Sequence, residues 1–277
     1  GEIRLWTTQS VARGADGIIY FRWRSCRFGC EEYWHGILDH DGVPRRRYSE
    51  VKKVSEELRK IAPHVVGTSV VAEAAISLVY DNIWALDLEV GYEDRNYYGV
   101  SSWQPALDCY RALYQKNILV DFINPVSEKM DKYKTVFVPS LMLMNQKIEQ
   151  SLRAYVKEGG ILIATPRTGA KDWNNNIVDE PLPGRLSDLF GMTIEEYTGL
   201  PGDKTLEMET VATELDGKNI YTCRNWAVVL SPEEAKVATY YQTGFYKNKP
   251  AVTVNKFGQG AAIYIGAFAN EEFYLTL

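Results

Sequence analysis

The stretch "KTVFVPSLMLMNQKIEQSLRAYVKEGGILIATP", residues 134–166, decides the fold. Its first part, "KTVFVPS" (134–140), is a short apolar run that reads as a strand. "NQKIEQSLRAYVKEGG" (145–160) reads as a helix closed by Gly159. "ILIATP" (161–166) is another buried strand. Strand, helix and strand in succession, with strands apolar on both faces, predict parallel pairing between layers of helix.

The same alternation extends towards the N-terminus. "AAISLVYD" (74–81) reads as a first strand and "ILVDFI" (118–123) as a second. Between them "SSWQPALDCYRALYQKN" (101–117) predicts a helix, with Ser102 as candidate N-cap and Leu107, Tyr110 and Tyr114 on one face. After residue 166 the pattern changes. "LEMETV", "WAVVL", "AKVATYY", "PAVTVNKF" and "GAAIYIG" are short strands separated by Gly, Pro or Asn, in part antiparallel. Residues 68–277 are therefore expected to form an α/β, flavodoxin-like, doubly wound domain.

Residues 1–66 read differently: a helix ending near Arg13 and Gly14, a strand Ile18–Phe21, a long loop, and a helix from about Ser49 with Pro63 just beyond it. This α-β-α unit has the size of one repeat of a (β/α)8 barrel, and a whole barrel needs roughly 250 residues. At most the last part of one is expected here. "GEIRLWTTQSVARG" lacks a starting methionine and begins inside an amphipathic pattern, so the chain is expected to be a piece of a longer protein.

Composition excludes several classes. The chain has 277 residues, 45% hydrophobic and 24% charged, as for an ordinary globular protein. A net charge of -5 argues against nucleic acid as partner. No apolar run reaches the roughly 18 residues of a membrane span. The cysteines Cys26, Cys30, Cys109 and Cys223 are scattered, and the C-x3-C spacing of the first two matches no usual zinc or redox motif. Reduced thiols, a cytoplasmic location and no metal or other cofactor are expected.

Two catalytic readings of 68–277 fail on residue types. A phosphate site needs glycines or a Ser/Thr cluster after the first strand, and "YDNIWALD" (80–87), read as a loop, has neither. A nucleophile elbow at Ser140, in "VPSLMLMN" (138–145), lacks flanking glycines. All three histidines, His35, His40 and His64, precede residue 65, so no histidine base lies beyond it. A catalytically silent assembly domain is expected. The aromatic run "GYEDRNYYGVSSW" (91–103) reads either as sheet packing or as a partner surface.

The richest stretch is "FRWRSCRFGCEEYWHG", Phe21–Gly36, directly after the predicted strand. Barrel enzymes build their sites at such strand ends. Phe21, Trp23 and Trp34 offer faces for the apolar side of a pyranose, while carboxylates and a histidine suit its hydroxyls. If 31–38 is helical, Glu31 and His35 share a face. Taken singly, Glu31 also reads as a helix-start acid and His35 as a packed or solvent-facing ring.

"GADGIIYFRWR…FGCEEYWHGILDHDG", within residues 14–42, resembles the end of the catalytic barrel of glycoside hydrolase family 42 β-galactosidases. The second unit resembles the same family's trimerisation domain, a flavodoxin-like fold related to class I glutamine amidotransferases and without catalytic residues. The resemblance covers nearly the whole chain. It implies a β-galactoside substrate, a homotrimer and a retaining hydrolase. It places Phe21 on the aromatic wall of the galactose subsite and His35 as a hydroxyl-binding histidine. The partner glutamate is Glu31 by counting ten residues from Phe21, or Glu32 by the spacing E-x-x-H. Retaining enzymes need two carboxylates about 5–5.5 Å apart. Adjacent Glu31 and Glu32 cannot supply that pair, and the resemblance places both catalytic glutamates before Gly1. The fragment alone is then expected to be inactive. The rival expectation is a non-catalytic scaffold with an amidotransferase-like fold.

Overall fold

The computed structural model describes residues 1–89, 101–211 and 220–277. The chain divides into two compact units, Gly1–Val71 and Ala72–Leu277.

The first unit contains helices α1 (Glu2–Ala12) and α2 (Arg46–Val65), joined by a long loop. Gly14 follows α1 with φ +95°, the left-handed conformation that suits a glycine after a helix. Helix α2 begins three residues before the expected Ser49 and keeps Pro63 inside its last turn. The expected strand Ile18–Phe21 is not formed. A strand exists only through ladder bonds to a neighbour, and residues 1–71 offer this segment none; Ile19 is 97% exposed. The one bridge in the loop joins Arg24 to Leu38.

The second unit runs β1 (Ala74–Ser77), α3 (Tyr80–Asp87), α4 (Gln104–Gln115), β2 (Val120–Ile123), β3 (Thr135–Val138), β4 (Leu143–Met144), α5 (Gln146–Lys157) and β5 (Ile161–Ala164). It continues with β6 (Lys171–Asp172), α6 (Ser187–Phe190), β7 (Met192–Gly199), β8 (Thr205–Thr210), β9 (Ile220–Pro232), β10 (Lys236–Tyr241), β11 (Pro250–Phe257), β12 (Gly260–Ile265), β13 (Ala267–Ala269) and α7 (Glu271–Tyr274). The segment 80–87, expected as a loop, is helix α3. Its Ile83, Ala85 and Leu86 are buried, and that packing overrides its modest helix propensity. Ser102, expected as the N-cap, is buried, and Trp103 holds the N-cap position instead; α4 starts at Gln104 with Pro105 in its first turn.

One mixed α/β sheet dominates. Five strands pair in parallel, in the order β2-β1-β3-β5-β12. From β12 the sheet turns antiparallel through β11, β10, β8 and β9 to β13, with β7 also on β9. Period-two alternation assigns the faces. Ala74, Ile76, Phe137 and Ile163 pack with Ala106, Cys109, Ala112 and Leu113 of α4. Ala75, Val136, Val138, Leu162 and Ala164 pack with Ile148, Leu152, Tyr155 and Val156 of α5. Helices thus cover both faces, which is why these strands read as unbroken apolar runs. The Asn145 side chain caps α5 by accepting from the Ile148 amide at 2.9 Å. Gly159, at φ +114°, ends it.

Candidate functional site

The loop 21–42 is held in shape by its own backbone. Ile37 N donates to Arg22 O at 2.7 Å and Leu38 N to Trp23 O at 2.8 Å. Ser25, buried, closes the ring: its Oγ accepts from Gly36 N at 2.9 Å. A Cβ on Gly36 would lie 2.7 Å from Arg24 backbone, so only glycine lets the two arms of this loop meet here. The pinch sets His35 beside the chain leaving Tyr20.

Phe21 and His35 line one open cleft of about 830 Å³, together with Trp6, Thr7, Tyr20 and Arg47. Trp34 meets the Phe21 ring edge-on, with centroids 6.4 Å apart. Arg22 covers Phe21 at 4.9 Å and donates to Glu31 twice, to the carbonyl and to Oε2, both at 3.1 Å. Thr7 Oγ1 and Tyr20 Oη share a hydrogen bond of 2.6 Å at the cleft wall. This hollow offers exposed aromatic faces, a histidine and an arginine, the residue types that bind a polar ring with an apolar face.

Of the five sequence-derived candidates only two share the cleft. Phe21 and His35 share the cleft. Trp23 turns its ring against Tyr48 of α2, 6.2 Å away. Glu31 is tied to Arg22, and Glu32 accepts from His40 Nε2 through its carbonyl. Residues 30–33 form turns rather than helix, so Glu31 and His35 do not share a helix face. Glu31 O accepts from Trp34 N in a single turn, and no helix continues past it. Sequence reasoning passed over Arg22 and Tyr20. Arg22 was legible as the cation directly after an exposed Phe; the Thr7–Tyr20 bond spans 13 residues and leaves no local pattern.

In the second unit, β3 ends in an elbow: Ser140 has φ +47°, a strained left-handed conformation for serine. The elbow is sealed. Ser140 is fully buried, its N donates to Thr165 Oγ1 at 2.8 Å, and its carbonyl accepts from Asn82 Nδ2 at 2.9 Å. Asn82 Oδ1 in turn accepts from Met142 N and Leu143 N. A side chain of α3 thus occupies the amides that an oxyanion site would keep open. Burial raises the Cys109 thiol and pushes Cys223 up to about 12, so both are inert. Among the described residues no group of three or more His, Cys, Asp or Glu gathers as a metal site. Most of the aromatic run at 91–103 lies outside the described residues.

Beside β5, Glu89 joins Arg167 and Lys171 in a half-buried ion cluster, with Lys171 Nζ also donating to Asn175 Oδ1 at 2.9 Å. Burial pushes the Glu89 carboxyl up, but Arg167 and Lys171 outweigh it and hold it below the usual carboxylate range. Arg167 also lies over the Trp226 indole at 5.2 Å.

Comparison with known proteins matches both units. Residues 72–277 fit the family profile described as "Beta-galactosidase trimerisation domain", and residues 1–61 that described as "Beta-galactosidase". β-Galactosidase BgaA of Clostridium cellulovorans is 34% identical over the whole chain, and BgaB of a Geobacillus species is 34% identical over 99% of it. The β-galactosidase structure from Bacillus circulans sp. alkalophilus superposes with a TM-score of 0.91 at 28% identity over 99% of the chain. A catalytic mutant of Gan42B, a GH42 β-galactosidase from G. stearothermophilus, gives 0.88 at 29% over 98%. The chain spans about 40% of the length of these relatives. With one family matched across both of its units, in order, the chain belongs to the glycoside hydrolase family 42 β-galactosidases.

Proposed function

We propose that the chain is part of a retaining β-galactosidase that hydrolyses terminal β-D-galactosyl residues. In this reading residues 1–66 are the end of a (β/α)8 barrel and supply one wall of the galactose subsite. Phe21 gives the stacking face, His35 a hydroxyl partner, and Glu31 or Glu32 a carboxylate acceptor. Residues 68–277 are a flavodoxin-like domain, related to class I glutamine amidotransferases, that holds three copies together. The catalytic carboxylate pair belongs to the rest of the parent protein. The observation that carries the reading is the shared cleft of Phe21 and His35, with Trp34 against Phe21, in a chain whose two units match one family.

Two assays test it. The purified 277-residue chain is expected to release no nitrophenol from a chromogenic β-galactoside above a buffer blank. In the full-length parent, His35→Ala and Glu31→Gln are expected to lower kcat/KM roughly ten- to hundred-fold. That corresponds to losing one charge-assisted hydrogen bond of about 1.5–3 kcal/mol that tightens in the transition state. The melting temperature should move little. Glu32→Gln run beside them assigns the carboxylate: activity lost in Glu32→Gln and kept in Glu31→Gln moves the role to Glu32. Full activity in all three variants overturns the subsite assignment.

A further inference from the structure

The second unit has a hollow of its own, beside the strands where parallel pairing gives way to antiparallel. β5 and β12 lie side by side, with Tyr264 opposite Ala164 near their carboxyl ends. Just past Ala164 the chain turns through Arg167, whose φ is +77°. The turn is fixed from below, where Thr168 Oγ1 donates to Val138 O at 3.0 Å. Arg167 and Tyr264 line one cavity of about 230 Å³, together with Leu182, Ile194, Tyr197 and Trp226. The Tyr197 and Trp226 rings stack there, with centroids 5.4 Å and planes 13° apart. Tyr197 is exposed and Tyr264 fully buried, so the aromatic pair marks the mouth and Tyr264 the closed end.

The Tyr264 hydroxyl is the unusual feature. It is buried and has no hydrogen-bond partner. Phe190 holds its ring edge-on at 5.2 Å, so the group has little freedom to find one by turning away. Buried polar groups are nearly always paired, because an unpaired one loses its hydration for nothing in return. Burial raises its pKa, so the proton stays on and the hydroxyl can donate. The Arg167 amide is near enough to ease that rise, yet completes no hydrogen bond. The groups that meet at the closed end are therefore donors, with the Arg167 positive charge among them. What complements them is an acceptor, best an anionic one. The remaining lining excludes other classes. A sugar would bury several hydroxyls against Leu182 and Ile194 without partners. The volume lies below the roughly 300–1,000 Å³ of sites for drug-sized ligands, so it suits one ring with a short polar arm.

We infer that this cavity is a binding site for a small aromatic carboxylate. Its ring lies against the Tyr197–Trp226 stack, and its carboxylate accepts from the Tyr264 hydroxyl beside Arg167. The site stands apart from the cleft of Phe21 and His35 and does not depend on the galactoside reading.

Phenylacetate titrated into the 277-residue chain, followed by ligand-observed NMR, tests this. Saturable binding is expected with a Kd on the order of 1 mM, as suits a ligand of so few atoms. Tyr264→Phe removes one oxygen and keeps the ring. It should melt no lower than the unchanged chain, because it deletes an unpartnered hydroxyl, and should bind phenylacetate at least about tenfold more weakly. Tyr197→Ser, at the exposed mouth, should weaken binding about three- to tenfold through the lost stacking face. Neutral phenylacetamide should bind at least about tenfold more weakly than phenylacetate. Absence of saturable binding overturns the inference, and so does equal affinity in Tyr264→Phe. A Tyr264→Phe variant that melts lower shows that the hydroxyl is already paired, and removes the ground for a ligand there. Phenylacetamide binding as well as phenylacetate overturns the carboxylate as the class. The same titration on a full-length parent should give the same Kd; binding lost there shows that other parts of the parent fill the cavity, and overturns the site.

Discussion

At the scale of single residues, two positions show how context sets the cost of a side chain. Glu89 is a half-buried acid whose charge is useful only because Arg167 and Lys171 face it. Its folded pKa lies below the ordinary value of 4.5. The linkage sign follows: the stabilisation is complete above the unfolded pKa and is lost as pH falls through the folded one. Glu89→Gln should therefore cost about 2 kcal/mol at pH 7, leaving two cations facing each other without their acid. It should also flatten the decline in stability between neutral pH and about pH 4. Urea unfolding of both proteins at the two pH values checks this, and equal stability at pH 7 would falsify the role given to Glu89. Ser140 offers a cleaner backbone test. With φ at +47°, any Cβ is strained there, and glycine is not. Ser140→Gly should be more stable than Ser140→Ala by about 1 kcal/mol. The reverse order would mean that the strain is not local to this residue.

At the scale of elements, the sequence announces those whose signals are all local. Helix α5 is such a case: an Asn that caps it, a buried face at i, i+3, i+4 spacing, and a left-handed Gly159 after it. Asn145→Ala should cost about 1 kcal/mol of stability, and Asn145→Asp little, as thermal melts will show. Strands β3 and β5 were equally plain, because burial on both faces leaves unbroken apolar runs. Helix α3 was misread because its eight residues include Asn82 and two aspartates, poor helix formers. What forms it is packing, together with the Asn82 bonds to Ser140, Met142 and Leu143 some sixty residues away, and no local pattern encodes those. The Ile18–Phe21 segment failed for the opposite reason: the propensity was right and the ladder partner was missing. The candidate site was legible as composition, in its aromatics and histidine. It was not legible as geometry, because residues 30–33 fold into turns and Glu31 and His35 share no helix face.

At the scale of the whole molecule, the two units are unequal in what holds them. The second has a mixed sheet with helices packed on both faces and dozens of fully buried apolar side chains. In residues 1–71 Leu38 and Val54 are the only buried apolar side chains, at 7% and 2% exposure, and Thr7 and Ser25 are the buried polar ones. The unit has little buried apolar surface of its own, and the surface ion pairs Arg4–Glu57 and Arg45–Asp41 add little in water. The first unit should therefore open locally while the second stays folded. Limited proteolysis of the 277-residue chain should cut first within residues 13–45, where the loop joins α1 to α2, and leave a resistant core that begins near Ala72. Amide exchange should complete within seconds to minutes over residues 1–71 and persist in β3, β5 and β12. If instead the first cuts fall in the second unit, or the protected amides include the 21–38 loop, then contacts beyond Leu38 and Val54 hold the first unit. In that case the cleft of Phe21 and His35 is formed before any further chain packs on it. The same experiment on a full-length parent separates the two physical accounts. Protection of residues 13–45 that is absent in the 277-residue chain and present in the parent would show that the cleft of Phe21 and His35 takes its shape from further chain.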